Sequence, residues 1–478
     1  MKVLFLNPPH KFRISRCSRW PENTKSGTLY YPYWLAYAAG LLINNGYEVL
    51  LLDAIADNLD SKETIKRISK FNPNLTVIET VTPTFFSDMN FINQLKLHID
   101  TKICVVGTHV SVFPEETLQK YNIDFVAIKE YDYTILDLVK CLEEKKKIKT
   151  VEGIYYKENG KIFHTQKRNL IENIDSLPFV SKVYKKFLKI ENYRYSLARH
   201  PMIQIWSARG CPNMCTFCQY PQVFSDRLFR ARSPENFVSE LEWIKQNLPH
   251  VKEIFIEDDT MTINNKRVIR ICKLIKERKL DIIWSANLRA DVPFGVLKEM
   301  KKSGFRMAIV GYESGNQKIL NNIKKGILIN RSIKFTSDAK KLGIMTFGCF
   351  MIGLPGDNKK TINQTLNYAK KLNPDMAFFQ QTVPFPGTEL YEWVKKNGYL
   401  ITENWNDWLD ERGRLRFLIN YPNLSTEEMK KLREKITLKF YTSPKWISQA
   451  IVHNLHPYEI FRMLNATKDY IKFLTNEI

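Results

Sequence analysis

The chain has 478 residues, enough for two or three domains, and its 44% hydrophobic and 26% charged content excludes a disordered or fibrous polymer. Eight cysteines in this length exclude a disulfide scaffold, and the opening "MKVLFLNPP" lacks the apolar core and cleavage site of a signal peptide. The net charge of +22 admits nucleic acid, an anionic membrane surface or an acidic substrate as partner, although Lys, Ile and Asn run high throughout the chain.

"KVLFLNPP" reads as a buried strand ending in a Pro-Pro turn. The apolar run from Tyr30 to Ile43 contains Pro32 and is too short to cross a bilayer, so it is a core helix closed by Gly46. The second to fifth strands follow as "YEVLLLDA", "LTVIETVTP", "KICVVGTH" and "DFVAIKE". Each is almost continuously apolar, and helical stretches separate them, which predicts a parallel sheet covered on both faces. Ligands of such sheets sit beyond the carboxyl ends of the strands. Those ends carry Pro8, Asp53, Thr82, Gly107, His109 and Glu130. No G-x-G-x-x-G follows the first strand, which argues against a nicotinamide dinucleotide.

A charge run near residue 145 ends this unit, 1–145. The stretch 146–195 holds a hairpin turning on Asn159-Gly160 and an ordered linker. From 196 to 400 strands and helices alternate again, giving six strand-helix units, a partial (β/α)6 barrel. The polar residues of interest fall at its strand ends: the cysteine loop, Glu257-Asp258-Asp259, Asn287, Arg289 and Glu313. The region 401–478 reads as a helical extension, with Ser425 and Glu428 forming a capping box. The fold class is α/β, a flavodoxin-like Rossmann sheet followed by a partial barrel and helices.

The loop "SARGCPNMCTFCQYPQ" places Cys211, Cys215 and Cys218 in C-x3-C-x2-C spacing. Three thiolates suit three irons of a cubane cluster and leave the fourth iron for an external ligand. Structural zinc takes four ligands, and no fourth Cys lies nearby; a three-Cys catalytic zinc site is the competing reading. The other five cysteines are scattered and read as buried apolar residues.

With Phe217 before the last cysteine, this loop resembles the signature of radical S-adenosylmethionine (SAM) enzymes, and the likeness continues over residues 200 to 400. The resemblance implies a 4Fe-4S cluster on Cys211, Cys215 and Cys218. It implies reductive cleavage of SAM to a 5′-deoxyadenosyl radical that abstracts hydrogen from an unactivated C–H. Phe217 is then expected beside the adenine. "FIEDDT" occupies the place of the family's Gly-Gly-Glu, so Glu257 or Asp259, or else Asp258, receives the SAM ammonium; a solvated strand end is the alternative for this trio. Arg289 suits the SAM carboxylate, with a surface ion pair to Asp291 as its alternative. Glu313 matches a ribose-binding position.

The first unit resembles the cobalamin-binding domain of one radical SAM subfamily, through "LNPP", "TVTPTF" and "VGTHVSVFPEE". This implies cobalamin near Pro8, Thr82, Gly107 and His109. The Asp-x-His-x-x-Gly motif is absent, so His109 is read as a pocket wall or a structural histidine rather than a cobalt ligand. Within the subfamily, "YYPYWLAYAAGLL" is similar to the hopanoid-associated branch, with anaerobic Mg-protoporphyrin ester cyclase as a relative. The expected reaction is methylation, or ring rearrangement or cyclisation, of a lipid-like or other hydrophobic small molecule. A flavodoxin or ferredoxin is the expected low-potential electron donor. The expected location is the cytoplasm, with peripheral contact to the inner face of the membrane through the basic, aromatic tail. Two readings compete. A radical SAM tRNA methylthiotransferase needs a second cysteine triplet, which Cys17, Cys104 and Cys141 do not form in sequence; nucleic acid is therefore not an expected partner. A non-catalytic corrinoid sensor would not need the complete cysteine loop.

Overall fold

The computed structural model describes residues 1–453. The first sheet is built from β1 (Lys2–Asn7), β2 (Glu48–Asp53), β3 (Leu75–Glu79), β4 (Lys102–Val106), β5 (Phe125–Ala127), β6 (Ile154–Glu158) and β7 (Lys161–His164). Its order is β2-β1-β3-β4-β5-β6-β7. The first five strands pair in parallel, Phe5 lying beside Leu51 on one side and Val77 on the other. Helices cover both faces, which is why Val3, Leu4, Phe5 and Leu6 are all fully buried. The strand order reverses between β1 and β3, the place where such sheets open a crevice at their carboxyl ends.

The expected hairpin forms at Asn159 and Gly160, both with left-handed backbones (φ 49° and 76°) as a two-residue turn demands. Its strand β6 pairs antiparallel with β5, so the hairpin extends the first sheet.

The second sheet is made of β8 (Met202–Ile205), β11 (Glu253–Ile256), β12 (Trp284–Leu288), β13 (Phe305–Glu313), β14 (Met345–Ile352) and β15 (Met376–Gln381). All six are parallel, in the order β8-β11-β12-β13-β14-β15, the open (β/α)6 sheet expected from the sequence. Between β8 and β11 a short antiparallel pair, β9 (Ala208–Arg209) and β10 (Arg230–Ala231), brackets the cysteine loop. Residues 400–424 hold isolated bridges and one short 3-10 turn. The helices Thr426–Tyr441 and Pro444–His453 follow, the first with the Ser425–Glu428 capping box in place. The remainder of the aromatic tail, 454–478, lies outside the described residues.

The helix Tyr33–Asn44 joins the two sheets. Trp34 packs on Trp206 (5.0 Å between ring centroids) and Phe224 (4.8 Å) of the second unit. Arg209 lies over Trp34 and is held bidentately by Asp132 (2.7 and 3.2 Å), while Arg230 grips Glu130 (2.7 and 2.6 Å). These charges are buried. Planar two-bond pairing offsets much of their desolvation, and losing one partner would leave an uncompensated charge in the interface.

Candidate active site

The cysteine loop is fixed at its base by Asp258. That carboxylate accepts from Ser207 N (2.6 Å), Ala208 N (3.0 Å) and the Ser207 hydroxyl, and Arg267 donates to Ser207 O (2.7 Å). Gly210 follows with φ 83°; a Cβ there would stand 2.0 Å from Leu228 O, so only glycine fits. Gln222 ties the far side together, donating to Cys218 O (2.8 Å), Thr216 O (3.1 Å) and Cys215 O (3.4 Å).

Cys211, Cys215 and Cys218 are all free thiols, and all three line one cavity of about 220 Å³. Cys211 Sγ accepts from Asn213 Nδ2 (3.0 Å). Burial raises the pKa of the Cys215 and Cys218 thiols; Lys325 opposes this at Cys215, and Asp259 adds to it at Cys218. Three soft donors on one loop, with no disulfide between them, fit an iron–sulfur cluster.

The acidic trio is not a solvated strand end: Glu257 is 2% exposed, Asp258 not at all, and Asp259, a half-buried residue, keeps its side chain 5% exposed. The three carboxylates point different ways. Asp258 is turned under the loop, as above. Asp259 lines the cavity, its Oδ2 accepting from Gly210 N (3.0 Å). Glu257 lies behind it, its carboxyl raised by burial and pulled back down by Arg19. Arg19 bonds Glu257 Oε1, Glu257 O (3.1 Å) and Asp259 Oδ1 (3.0 Å). Sequence reasoning missed Arg19. It belongs to the connection after β1, 238 residues from Glu257, and no local pattern marks it.

Arg289, Phe217 and Glu313 line the same cavity. Arg289 sits 3.6 Å from Asp291, the expected ion pair, but also donates to Lys325 O (3.0 Å) and Gly326 O (3.3 Å), so it is a fixed wall and not a loose surface charge. Glu313 follows a break in the β13–β14 register and has a left-handed backbone (φ 59°), an uncommon state for a non-glycine residue. The bulge aims its carboxylate at Lys325 Nζ (2.6 Å). Gly311 makes room for that pair, since a Cβ there would stand 2.3 Å from Glu313 Oε1. Lys325 was also missed by the sequence reading.

At the carboxyl end of the first sheet, Thr82 and His109 meet each other, Oγ1 to Nδ1 at 3.1 Å. Phe85 (4.1 Å), Phe113 (5.2 Å) and Trp405 (5.3 Å) enclose the imidazole, and burial lowers its pKa to about 3, so it stays neutral. Gly107 has φ 119°, and a Cβ would fall 2.2 Å from Thr80 O. Pro8 is buried, its carbonyl accepting from Arg16 (2.9 Å). Arg16 also reaches Asn7 (2.7 Å) and Asp88, which takes the Thr80 and Thr84 hydroxyls as well (2.6 Å each). None of these four expected residues lines the cysteine cavity. Between the two sets, in a run of ring contacts from His109 through Trp405, Trp408 and Phe385 to Trp20, Trp20 Nε1 and Trp408 Nε1 are buried without a partner among the described residues. Buried unpartnered donors of this kind suit a polar group placed between the sheet ends.

Residues 207–369 match the radical SAM superfamily and residues 22–139 match the B12 binding domain. A methyltransferase of Pyrococcus horikoshii, itself uncharacterised, is 33% identical over 98% of this chain and 98% of its own. The anaerobic magnesium-protoporphyrin IX monomethyl ester cyclase of Rubrivivax gelatinosus is 26% identical over 82% of this chain and 70% of its own. Among solved structures, the radical SAM methyltransferase TsrM of Kitasatospora setae, with tryptophan substrate and a SAM analogue bound, superposes with a TM-score of 0.72. The match covers 93% of this chain and 90% of that one at 13% identity.

Proposed function

This chain belongs to the cobalamin-dependent radical SAM methyltransferase and cyclase family, and we propose that it transfers a methyl group to an unactivated carbon of a small hydrophobic molecule. The family's cofactors are a 4Fe-4S cluster, SAM and cobalamin. When bound, they supply the electron, the hydrogen-abstracting radical and the methyl carrier.

The observation that carries the site assignment is that three free thiols, Asp259, Arg289 and Glu313 line one cavity. In this reading Cys211, Cys215 and Cys218 hold the cluster. Asp259 accepts the SAM ammonium, with Arg19 and Glu257 fixing it from behind. Arg289 faces the SAM carboxylate, Glu313 the ribose and Phe217 the adenine. Trp20, Ile309, Met351, Val383 and Phe385 form an apolar wall that excludes water and suits a hydrophobic substrate. Cobalamin would be held beyond the ends of β1, β3 and β4, around Pro8, Thr82, Gly107 and His109, where His109, enclosed by Phe85, Phe113 and Trp405, would serve as wall.

The methylthiotransferase alternative finds no support in the first unit. Cys17 donates to Tyr31 O (2.9 Å), Cys104 lies in β4 and Cys141 on the helix Asp132–Glu143. Among the described residues, none is long and apolar enough as a helix to cross a membrane. A lipid substrate would bring the chain to a membrane surface, testable by co-sedimentation with anionic vesicles.

The test is anaerobic reconstitution with iron and sulfide, then incubation with SAM, hydroxocobalamin, a strong reductant and candidate hydrophobic substrates. Methyl transfer yields both 5′-deoxyadenosine and S-adenosylhomocysteine. Cyclisation or rearrangement yields 5′-deoxyadenosine without S-adenosylhomocysteine. No SAM cleavage at all would favour the corrinoid sensor and overturn the proposal.

A further inference from the structure

The outer face of the cysteine loop carries exposed apolar side chains inside a ring of cations. Met214, beside Cys215, is 49% exposed and Leu228 is 50% exposed. Leu228 is presented by a tight turn, Ser225 to Leu228, closed by Leu228 N to Ser225 O (2.9 Å). Both central residues, Asp226 (φ 47°) and Arg227 (φ 57°), adopt left-handed backbones. Such a turn normally uses Asn or Gly, so the conformation costs free energy that its neighbours must offset. The turn lies directly on the cysteine loop: Leu228 O excludes any side chain at Gly210, and Arg227 Nη1 donates to Asn213 O (2.7 Å).

The surrounding charges are unequal. Asp226 holds both Lys129 and Lys167. Glu389 holds both Arg227 (3.1 Å) and Lys324 (2.6 Å). Four cations thus face two carboxylates, leaving two positive charges around the apolar pair, and Lys167 and Lys324 stay more than half exposed. Thr216 N bonds Ile323 O (3.1 Å), which sets Lys324 against the same loop. Exposed apolar residues ringed by like charge mark a docking surface for a partner of the opposite sign.

The geometry points to this face, Met214 and Leu228 within Lys129, Lys167, Arg227 and Lys324, as the docking surface for an acidic, low-potential one-electron carrier protein. The inference rests on the cluster reading of Cys211, Cys215 and Cys218. It follows from position: the ligand loop itself forms the surface here, so a docked carrier would lie against the residues that hold the cluster. Each encounter passes one electron. The carrier is oxidised by one electron, the cluster is reduced by one, and no atom is exchanged.

The test uses flavodoxin as the probe and the full-length protein with Leu228→Glu, Lys324→Glu and, as a control of equal charge change elsewhere, Lys62→Glu on the exposed side of the helix Ser61–Phe71. Flavodoxin affinity is measured by titration at low and moderate salt. The rate of cluster reduction is followed optically with reduced flavodoxin and, separately, with dithionite. The wild type is expected to bind flavodoxin with an affinity that falls as salt rises. Leu228→Glu and Lys324→Glu are each expected to weaken binding and slow flavodoxin-driven reduction by about tenfold, with dithionite reduction unchanged. Lys62→Glu is expected to match the wild type. Equal flavodoxin binding by all four proteins overturns the proposal, as does an equal loss in Lys62→Glu, which would assign the effect to overall charge. A wild type reduced by neither reagent overturns the cluster reading, while the binding titration still decides the surface.

Discussion

The two parallel sheets end alike and use their ends differently. Beyond β11, β12 and β13 the polar residues turn inward on one cavity, and Asp259, Arg289 and Glu313 line it with the three thiols. Beyond β1, β3 and β4 the polar residues turn on one another. Arg16 takes Asn7, Pro8 O and Asp88, while Thr82 takes His109. The first arrangement leaves charge facing space where a small charged ligand fits. The second gives a stiff ledge whose polar groups, Glu79 apart, pair with one another, suited to a large ligand that is held by shape. The connection between them is the segment after β1, which fixes Arg16 in the ledge and, three residues on, Arg19 in the cavity.

The sharpest break of this comparison is Cys215→Ala. It removes one of the three proposed cluster ligands, and SAM cleavage is expected to fall below detection while cobalamin binding persists, because none of Pro8, Thr82, Gly107 and His109 lines the cysteine cavity. Loss of the corrin absorbance together with the iron–sulfur absorbance would show that the two sites are not separable. Next in size is Asp259→Asn. Removing the one carboxylate of the trio that faces the cavity is expected to weaken SAM binding by about thirtyfold or more, as for truncation of a buried charge partner. Its neighbour gives the contrast. Asp258→Asn is expected to leave SAM affinity within a few fold and instead to lower stability by about 1–3 kcal/mol, because it replaces Oδ2, the acceptor of the Ser207 hydroxyl, with a donor and removes the buried charge that faces Arg267. If Asp258→Asn weakens SAM and Asp259→Asn does not, the assignment within the trio is reversed.

What was legible in the sequence follows the same division. The parallel strands of both sheets could be read because strands buried on two faces are continuously apolar, and the Asn159-Gly160 turn because its backbone demands those residues. The thiols were legible because their chemistry is carried by residue type and spacing alone. The trio was only half legible: spacing along a strand end does not say which carboxylate turns inward, and that depends on Ser207, Gly210 and Arg19 arriving from elsewhere. Arg19 and Lys325 were not legible, since each acts through a contact made by tertiary folding and sits in no local pattern. At the ledge, Pro8, Thr82, Gly107 and His109 were named by position and resemblance, and neither could tell a residue facing a ligand from one enclosed by Phe85, Phe113 and Trp405.

Arg19 tests the join between the regions. Arg19→Gln leaves Glu257 buried without its cation, and a loss of about 2 kcal/mol is expected, discounted because the arginine side chain is 28% exposed. The double variant Arg19→Gln/Glu257→Gln removes the stranded charge as well and is expected to recover part of that loss. Additive melting shifts in the pair would show that the two side chains do not communicate.

The smallest effect concerns Glu79, at the end of β3. Its carboxyl is 2% exposed, its Oε2 has no hydrogen-bond partner among the described residues, and burial raises its pKa from 4.5 to about 8. The folded chain therefore holds this proton up to about pH 8, whereas the unfolded chain releases it near 4.5. Between those values the folded state binds more protons, so the contribution of Glu79 to stability is fully present below pH 4.5. It is lost as pH rises to about 8 and is flat above. Glu79→Gln keeps the shape and removes the titration. It is expected to match the wild type at pH 4 and to be the more stable of the two at pH 8, read as a difference in denaturant midpoint that grows as pH rises between 4.5 and about 8. A constant offset across that range would mean that Glu79 is ionised and paired in the folded chain, and that the ledge holds a charge of its own facing the place assigned to cobalamin.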